Sequence, residues 1–154
     1  MEKSKLIVEI KKLQRDLREE IPNLNWGGCG LFAYLLGKKL KKEGIDFKIK
    51  ILGNFLDCFE HKTAILREVK NNRNNLCRDK AAFAHCYLQI GNYEFDGHYS
   101  NNELREVFYT LENIGEYSLQ DLYLAIKVGS WNWRFCLEKD LPKLEEIIEN
   151  FKIA

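Results

Sequence analysis

Apolar residues recur at helical spacing along the first part of the chain. In the segment 5–21, charged residues separate the apolar positions. One face of this segment carries Leu6, Ile7, Ile10, Leu13, Leu17 and Ile21. Pro22 follows directly, where a helix is expected to end. The pattern predicts a first helix over 5–21 that packs through this apolar face.

A second helical pattern begins at Cys29 and continues to about residue 43. The 3.6-residue period places on one face Cys29, Phe32, Ala33, Leu36 and Leu40. Lysines collect at the C-terminal end, where cations suit the helix dipole, and Gly44 follows. The pattern therefore predicts a helix that opens with an inward-facing cysteine.

Strict alternation of apolar and polar residues predicts strands at 45–52, 83–90 and 93–96. Gly91-Asn92 separates the last two and is a two-residue hairpin signal. Such a turn pairs Ile90 with Tyr93 and Leu88 with Phe95. The same register, continued, pairs Tyr87 with Asp96 and His85 with His98.

This register divides the hairpin into two faces. The apolar face carries Cys86, Leu88, Ile90, Tyr93 and Phe95, and the other face carries His85, Tyr87, Asp96 and His98. Asp96 lies diagonal to His85, within reach of a side-chain hydrogen bond. The turn chemistry alone thus predicts an acid beside a histidine.

The remaining segments complete a mixed α and β pattern. Helices are predicted at 102–113, at 118–128 with a capping-box-like start at Ser118 and Asp121, and at 142–151 with a proline in the first turn. The segment 55–69 is ambiguous, 71–79 is a polar loop, and 131–135 is a short strand or an aromatic plug.

Composition and charge narrow the class of protein. The 154 residues suit a single domain spanning 1–154, and 45% hydrophobic with 31% charged residues is the balance of a globular protein. A formal net charge of +1 gives no electrostatic basis for binding nucleic acid or a membrane surface. No signal peptide or membrane-spanning run is evident, and the five irregularly spaced cysteines indicate reduced thiols in a cytoplasm.

The glycine-rich segment 27–30 delivers Cys29 to the start of a helix. The partial positive charge there favours the nucleophilic thiolate, and the glycines leave room for a substrate carbonyl. The backbone N–H of Cys29 could stabilise an oxyanion with help from Asn23 or Asn25, beside Gly28 and with Trp26 as a wall of the cleft. The alternative is a buried cysteine that only packs.

A cysteine nucleophile needs a base, and the base needs an orienting group. The chain supplies Cys29, His85 and Asp96, in that order. Two alternatives stay open, because His85 could be an ordinary core histidine and His98, opposite it in the predicted register, could serve as the base.

Two motifs resemble the papain-like and transglutaminase-like cysteine hydrolases: the stretch 27–33 around Cys29, and the stretch 85–97 with histidine, strand, turn, aromatic residue and Asp-Gly. The resemblance implies an α+β papain-like fold in which the nucleophile helix packs on a small antiparallel sheet. It implies a cysteine peptidase or amidase that works through a thioester, with a peptide, protein or other amide as substrate and no cofactor.

Three other interpretations remain from the sequence. The domain could be a non-catalytic interaction module that keeps the fold, or it could transfer acyl groups as transglutaminases and acyltransferases do. Zinc binding by Cys58 with His61, or by Cys77, Cys86 and His98, is the third. No Cys-x-x-Cys pair exists, so no metal site is predicted.

Overall fold

The computed structural model describes residues 2–25, 28–55, 81–127 and 140–153. Its helices are α1 (Lys3–Glu20), α2 (Cys29–Lys42), α3 (Asn101–Val107), α4 (Leu119–Lys127) and α5 (Leu141–Asn150). Its strands are β1 (Lys48–Phe55), β2 (Ala81–Ile90), β3 (Tyr93–Phe95) and β4 (Glu112–Tyr117). The predictions made for Trp26 and for the segments 56–80 and 128–139 fall outside the described residues.

The strands form an antiparallel sheet in the order β3-β2-β1-β4. Alternation along β1 and β2 brings four buried side chains to one face, namely Ile49, Ile51, Cys86 and Leu88. α2 packs against β2, and α1, α4 and α5 complete the core around it. An α+β fold with a helix on an antiparallel sheet is therefore confirmed.

The hairpin between β2 and β3 has the predicted register. Ile90 pairs with Tyr93 and Leu88 with Phe95, and Gly91 takes the positive φ of +59° that this turn requires. The predicted continuation is wrong, because β3 ends at Phe95. The Asp96 side chain accepts the backbone N–H groups of His98 and Tyr99 in its own loop, and the chain turns away from β2.

Two other predictions need correction. The helix predicted at 102–113 ends at Val107, and residues 112–117 form β4 instead. β4 exists through its hydrogen bonds to β1, which local periodicity cannot show. The strand predicted at 45–52 begins three residues later, at Lys48, and continues to Phe55.

The predicted start of α4 and the predicted core residues agree better with the structure. Ser118 Oγ accepts a hydrogen bond from the Asp121 N–H at 3.1 Å, which confirms the predicted cap of α4. The apolar stripes of α1 and α2 are buried, except that Ile7 is only partly so. Phe32 meets Phe95 edge to face at 6.4 Å. Within the described ranges, no helix is long and apolar enough to cross a membrane.

The stability of this core can be tested at Leu36 of α2, which is fully buried. Leu36→Ala should lower the free energy of unfolding by about 2–5 kcal/mol, since it leaves a cavity between α2 and the core. Val8→Ala on the exposed side of α1 should change it by less than about 0.5 kcal/mol. Urea unfolding followed by circular dichroism measures both, and equal effects would show that Leu36 is not a core residue.

Candidate active site

Cys29 is the first residue of α2, and Gly28 caps the helix. The first-turn N–H groups of a helix have no partner within the helix and point past its N-terminus, so they surround the sulfur with positive potential. Only 4% of the Cys29 surface is exposed, because α2 packs closely on β2. The thiol is thus held at the helix start, as the sequence predicts.

His85 lies on β2 and is completely buried. A β-bulge immediately precedes it, since Leu52 pairs with His85 but Gly53 pairs with Phe83. Bulges of this kind re-aim the adjacent side chain. His85 Nε2 lies 2.8 Å from Asp96 Oδ2, so the structure joins the predicted base and acid.

The Asp96 carboxylate receives four hydrogen bonds. Its Oδ1 accepts the backbone N–H groups of His98 at 2.7 Å and Tyr99 at 2.6 Å. Its Oδ2 accepts His85 Nε2 and, at 3.2 Å, Asn25 Nδ2. All of the hydrogen-bonding positions of the carboxylate are therefore occupied, and these bonds keep it from rotating away from His85.

These contacts determine which nitrogen of the His85 imidazole is held by the acid and which is left to exchange a proton. Because the carboxylate acts as acceptor, Nε2 of His85 carries a proton. Nδ1 is buried and has no hydrogen-bond partner among the residues that the structure describes. Nδ1 is therefore the nitrogen left to exchange a proton with the thiol.

The electrostatics couple the thiol to the imidazole. The neighbouring Cys86 thiol, acting as hydrogen-bond donor, lowers the pKa of Cys29, burial opposes this, and His85 lowers it further, so that the result lies well below the ordinary value. Burial lowers the pKa of His85, but the Cys29 charge and the Asp96 hydrogen bond outweigh it and raise that pKa to about 9. Both shifts favour a thiolate beside an imidazolium over a neutral thiol and imidazole.

Cys86 has a role that the sequence did not reveal. Its side chain is buried in the core, as predicted. It also lies beside Cys29, and its hydrogen bond to Cys29, together with burial, raises the pKa of Cys86. Cys86 thus stays a thiol and can donate to the Cys29 thiolate.

Gln14 is a second residue missed by the sequence analysis. It is buried on the apolar face of α1, and its Nε2 donates to the carbonyls of Asp96 at 2.9 Å and Tyr99 at 3.1 Å. Its Oε1 accepts the Ser100 hydroxyl at 3.0 Å. A polar residue on the apolar stripe of a helix was the signal that could have identified this role.

His98 does not face His85, and this part of the prediction is wrong. The turn at Asp96 directs the His98 ring toward the end of α1, where Nε2 lies 3.0 Å from the Ile21 carbonyl. Arg18 donates to the His98 carbonyl at 2.6 Å. Burial lowers the pKa of His98, so this ring is a neutral structural group.

The predicted oxyanion group is only partly assembled. Gly28 is buried beside Cys29, and the Asn25 amide donates to Asp96. Asn23 is exposed in the turn after α1, and Trp26 lies outside the described residues. The first-turn N–H groups of α2 are therefore the oxyanion donors that this geometry supports.

For the zinc interpretation, Cys58, His61 and Cys77 lie outside the described residues. Within the ranges given above, no three His, Cys, Asp or Glu side chains are grouped so as to hold a metal ion.

Comparisons with known proteins gave no relatives. No family model matches the chain, and neither the curated proteins nor the solved structures returned a match. The geometry of the site is therefore the basis for a function.

The acid can be tested by Asp96→Asn. Because the carboxylate helps to raise the pKa of His85, that pKa should fall from about 9 toward its ordinary value. The pKa of Cys29 should rise in turn, and each unit of rise reduces the thiolate about tenfold at acidic pH. NMR titration of His85 and the alkylation rate of Cys29 measure the two effects.

Glu94→Gln is the matched control, since Glu94 lies on the neighbouring strand and its carboxylate binds Arg105 rather than His85. If Glu94→Gln moved both quantities and Asp96→Asn moved neither, the assignment of the acid would be wrong.

The role of Gln14 can be tested by Gln14→Met. The substitution leaves the Asp96 and Tyr99 carbonyls without their buried donor, so the free energy of unfolding should fall by about 1–3 kcal/mol. Alkylation of Cys29 should also slow, because the loop that holds Asp96 loosens. Lys11→Met, on the exposed side of α1, should do neither. Unchanged stability and labelling in Gln14→Met would rule out this support.

Proposed function

We propose that this protein is a thiol-dependent hydrolase of the papain-like kind, a cysteine peptidase or amidase. Cys29 is the nucleophile, His85 the proton carrier and Asp96 the group that orients the imidazole. The substrate is a peptide, a protein or another amide.

One observation supports this proposal above the others. His85 donates from Nε2 to a carboxylate that is itself fully hydrogen-bonded, and its Nδ1 has no partner among the described residues. The Cys29 thiol interacts electrostatically with the same ring. A core histidine that only packs does not need an oriented acid on one nitrogen and an acidic thiol near the ring. This arrangement matches what acyl transfer by a cysteine requires.

The first half of the reaction makes a thioester. The Cys29 thiolate attacks the carbonyl carbon, and the carbonyl electron pair moves to oxygen, which the first-turn N–H groups of α2 stabilise. As the C–N bond breaks and the carbonyl reforms, His85 Nδ1 gives its proton to the leaving amine. Asp96 stabilises the imidazolium until that transfer.

The second half releases the acid. His85 Nδ1 takes a proton from water, the oxygen attacks the thioester, and the Cys29 thiolate leaves. A primary amine in place of water would make the reaction a transglutaminase-type transfer. The two outcomes share every residue named here, and the nucleophile that accepts the acyl group distinguishes them.

The nucleophile can be tested by selective alkylation. Iodoacetamide at mildly acidic pH should label Cys29 before Cys58, Cys77, Cys86 or Cys136, because its pKa lies well below that of an ordinary thiol. Peptide mapping by mass spectrometry gives the order of labelling. Equal labelling of the five, or labelling of another cysteine first, would contradict the proposal.

Catalysis is then separated from folding by Cys29→Ser, which has a similar volume. It should abolish hydrolysis of amide or thioester substrates and leave the melting temperature nearly unchanged. If Cys29→Ser unfolds the protein, the cysteine is structural.

The pH dependence of the wild-type protein tests the two ionising groups. Its kcat/KM should rise as Cys29 ionises and fall above about pH 9, where His85 loses the proton that the leaving group needs.

A further inference from the structure

Two cysteine side chains meet in the core, one from α2 and one from β2. Cys29 is the first residue of α2, and Cys86 lies in the central part of β2, on the face that carries the buried side chains of the sheet. α2 packs against β2, and both cysteines belong to the same core cluster. The Cys86 thiol is hydrogen-bonded to Cys29. The fold therefore places a second sulfur in contact with the proposed nucleophile.

This contact suits the formation of a bond between the two sulfurs. Both cysteines are free in this structure. A disulfide holds its sulfur atoms about 2.05 Å apart, which is closer than a hydrogen bond, so the two side chains must move toward each other. Gly28 and Gly30 flank Cys29 in the chain, and neither has a side chain that would hinder this movement.

The two sulfurs differ in reactivity. The pKa of Cys29 lies well below its ordinary value, whereas the hydrogen bond to Cys29, burial and the Cys29 charge raise the pKa of Cys86. Because peroxides react with thiolates, Cys29 is the sulfur that an oxidant attacks first. Once Cys29 is a neutral sulfenic acid, its charge no longer opposes the ionisation of Cys86, and Cys86 becomes a better nucleophile for the next step.

We propose that Cys29 and Cys86 form a reversible intramolecular disulfide when the protein encounters hydrogen peroxide. The oxidant has to be small, because only 4% of the Cys29 surface is exposed. The disulfide removes the nucleophile, so oxidation switches the site off, a consequence that rests on the proposed hydrolase function. It also protects Cys29 from further oxidation to sulfinic and sulfonic acids, which thiol reductants do not reverse.

The oxidation takes two steps. The Cys29 thiolate attacks one oxygen of hydrogen peroxide, the O–O bond breaks, and the departing hydroxide takes a proton from the His85 imidazolium to become water. Cys29 is thereby oxidised to a sulfenic acid, and the peroxide is reduced. The Cys86 sulfur then attacks the Cys29 sulfur, the S–O bond breaks, and the hydroxide leaves with the Cys86 proton as a second water molecule. A thiol reductant such as dithiothreitol restores both cysteines.

Peptide mapping under non-reducing conditions tests the proposal in the wild-type protein. Trypsin should release each of the five cysteines on a peptide of its own, with Cys29 on 19–38 and Cys86 on 81–105. After hydrogen peroxide and then iodoacetamide, these two peptides should appear joined, with a mass two hydrogen atoms below their sum. Dithiothreitol should separate them and restore the labelling of Cys29. If Cys29 carried only oxygen atoms, or were joined to another cysteine, the proposal would be wrong.

The titration of His85 provides a second measurement on the same sample. The Cys29 charge contributes to the raised pKa of His85, which is about 9, and a disulfide carries no charge. The pKa of His85 should therefore fall on oxidation and return after dithiothreitol, as followed by NMR. An unchanged pKa in a sample that contains the joined peptides would show that Cys29 was not a thiolate beside His85 before oxidation.

Cys86→Ala tests the role of the second sulfur. Without it, Cys29 should gain two oxygen atoms as a sulfinic acid, and dithiothreitol should restore at least about fivefold less labelling of Cys29 than in the wild type. Cys77→Ser is the control, since this cysteine belongs to the segment predicted to be a polar loop, and it should recover like the wild type. Equal recovery of Cys86→Ala and the wild type would contradict the role of Cys86. If Cys86→Ala does not fold, the wild-type peptide map still decides the proposal.

The same experiments separate this proposal from the hydrolase function. Rapid labelling of Cys29 without the joined peptides would remove the disulfide and leave the hydrolase standing. Joined peptides in a protein that hydrolyses no amide or thioester would leave the disulfide standing and remove its consequence for activity. A Cys29 that reacts with neither iodoacetamide nor peroxide would overturn both.

Discussion

The hydrogen-bonded carboxylate of Asp96 is the interaction on which the rest of this site depends. A carboxylate in the core is costly unless donors replace the water that it loses. Here the donors come from three parts of the chain: His85 on β2, Asn25 in the turn before α2, and the backbone of the Asp96 loop itself. The acid therefore joins the sheet to the turn that leads into α2.

The same carboxylate explains where β3 ends. A strand that continued past Phe95 would direct its N–H groups to a neighbouring strand. Instead, the N–H groups of His98 and Tyr99 bind Asp96, and the Asp96 N–H binds the Tyr99 carbonyl at 2.9 Å. The chain turns at the position where the acid is needed, and α1 holds the turn through Gln14 and Arg18.

Burial and charge act in opposite directions at the thiol and the imidazole. Burial favours the neutral forms of both Cys29 and His85. The attraction between their charges, the Cys86 hydrogen bond to Cys29 and the Asp96 hydrogen bond to His85 act against burial and favour the charged forms. Phe108 covers the face of the imidazole and keeps that pair dry. In such surroundings the charges interact strongly, which is the condition under which electrostatic catalysis is most effective.

The sequence by itself determined the elements whose signals are local. Apolar periodicity located α1 and α2, and the Gly91-Asn92 turn set the register of the hairpin as far as Phe95. The contact of Asp96 with His85 was predicted from a continued register, but it forms from the loop that follows β3. Each signal spans one helix or one turn, where a side chain's direction follows from the 3.6- or two-residue period. Cys29 at a helix start was readable for the same reason.

Tertiary structure decided the parts that depend on distant residues. β4 forms by pairing with β1, and Gln14 binds the Asp96 carbonyl across 82 residues. Phe108, the residue that follows α3, stacks on His85. Cys86 looked like a core residue because alternation gives the face of a strand but not what packs on that face. The physical reason is common to all four: each contact joins elements whose relative placement comes from packing of the whole core, which no local pattern encodes.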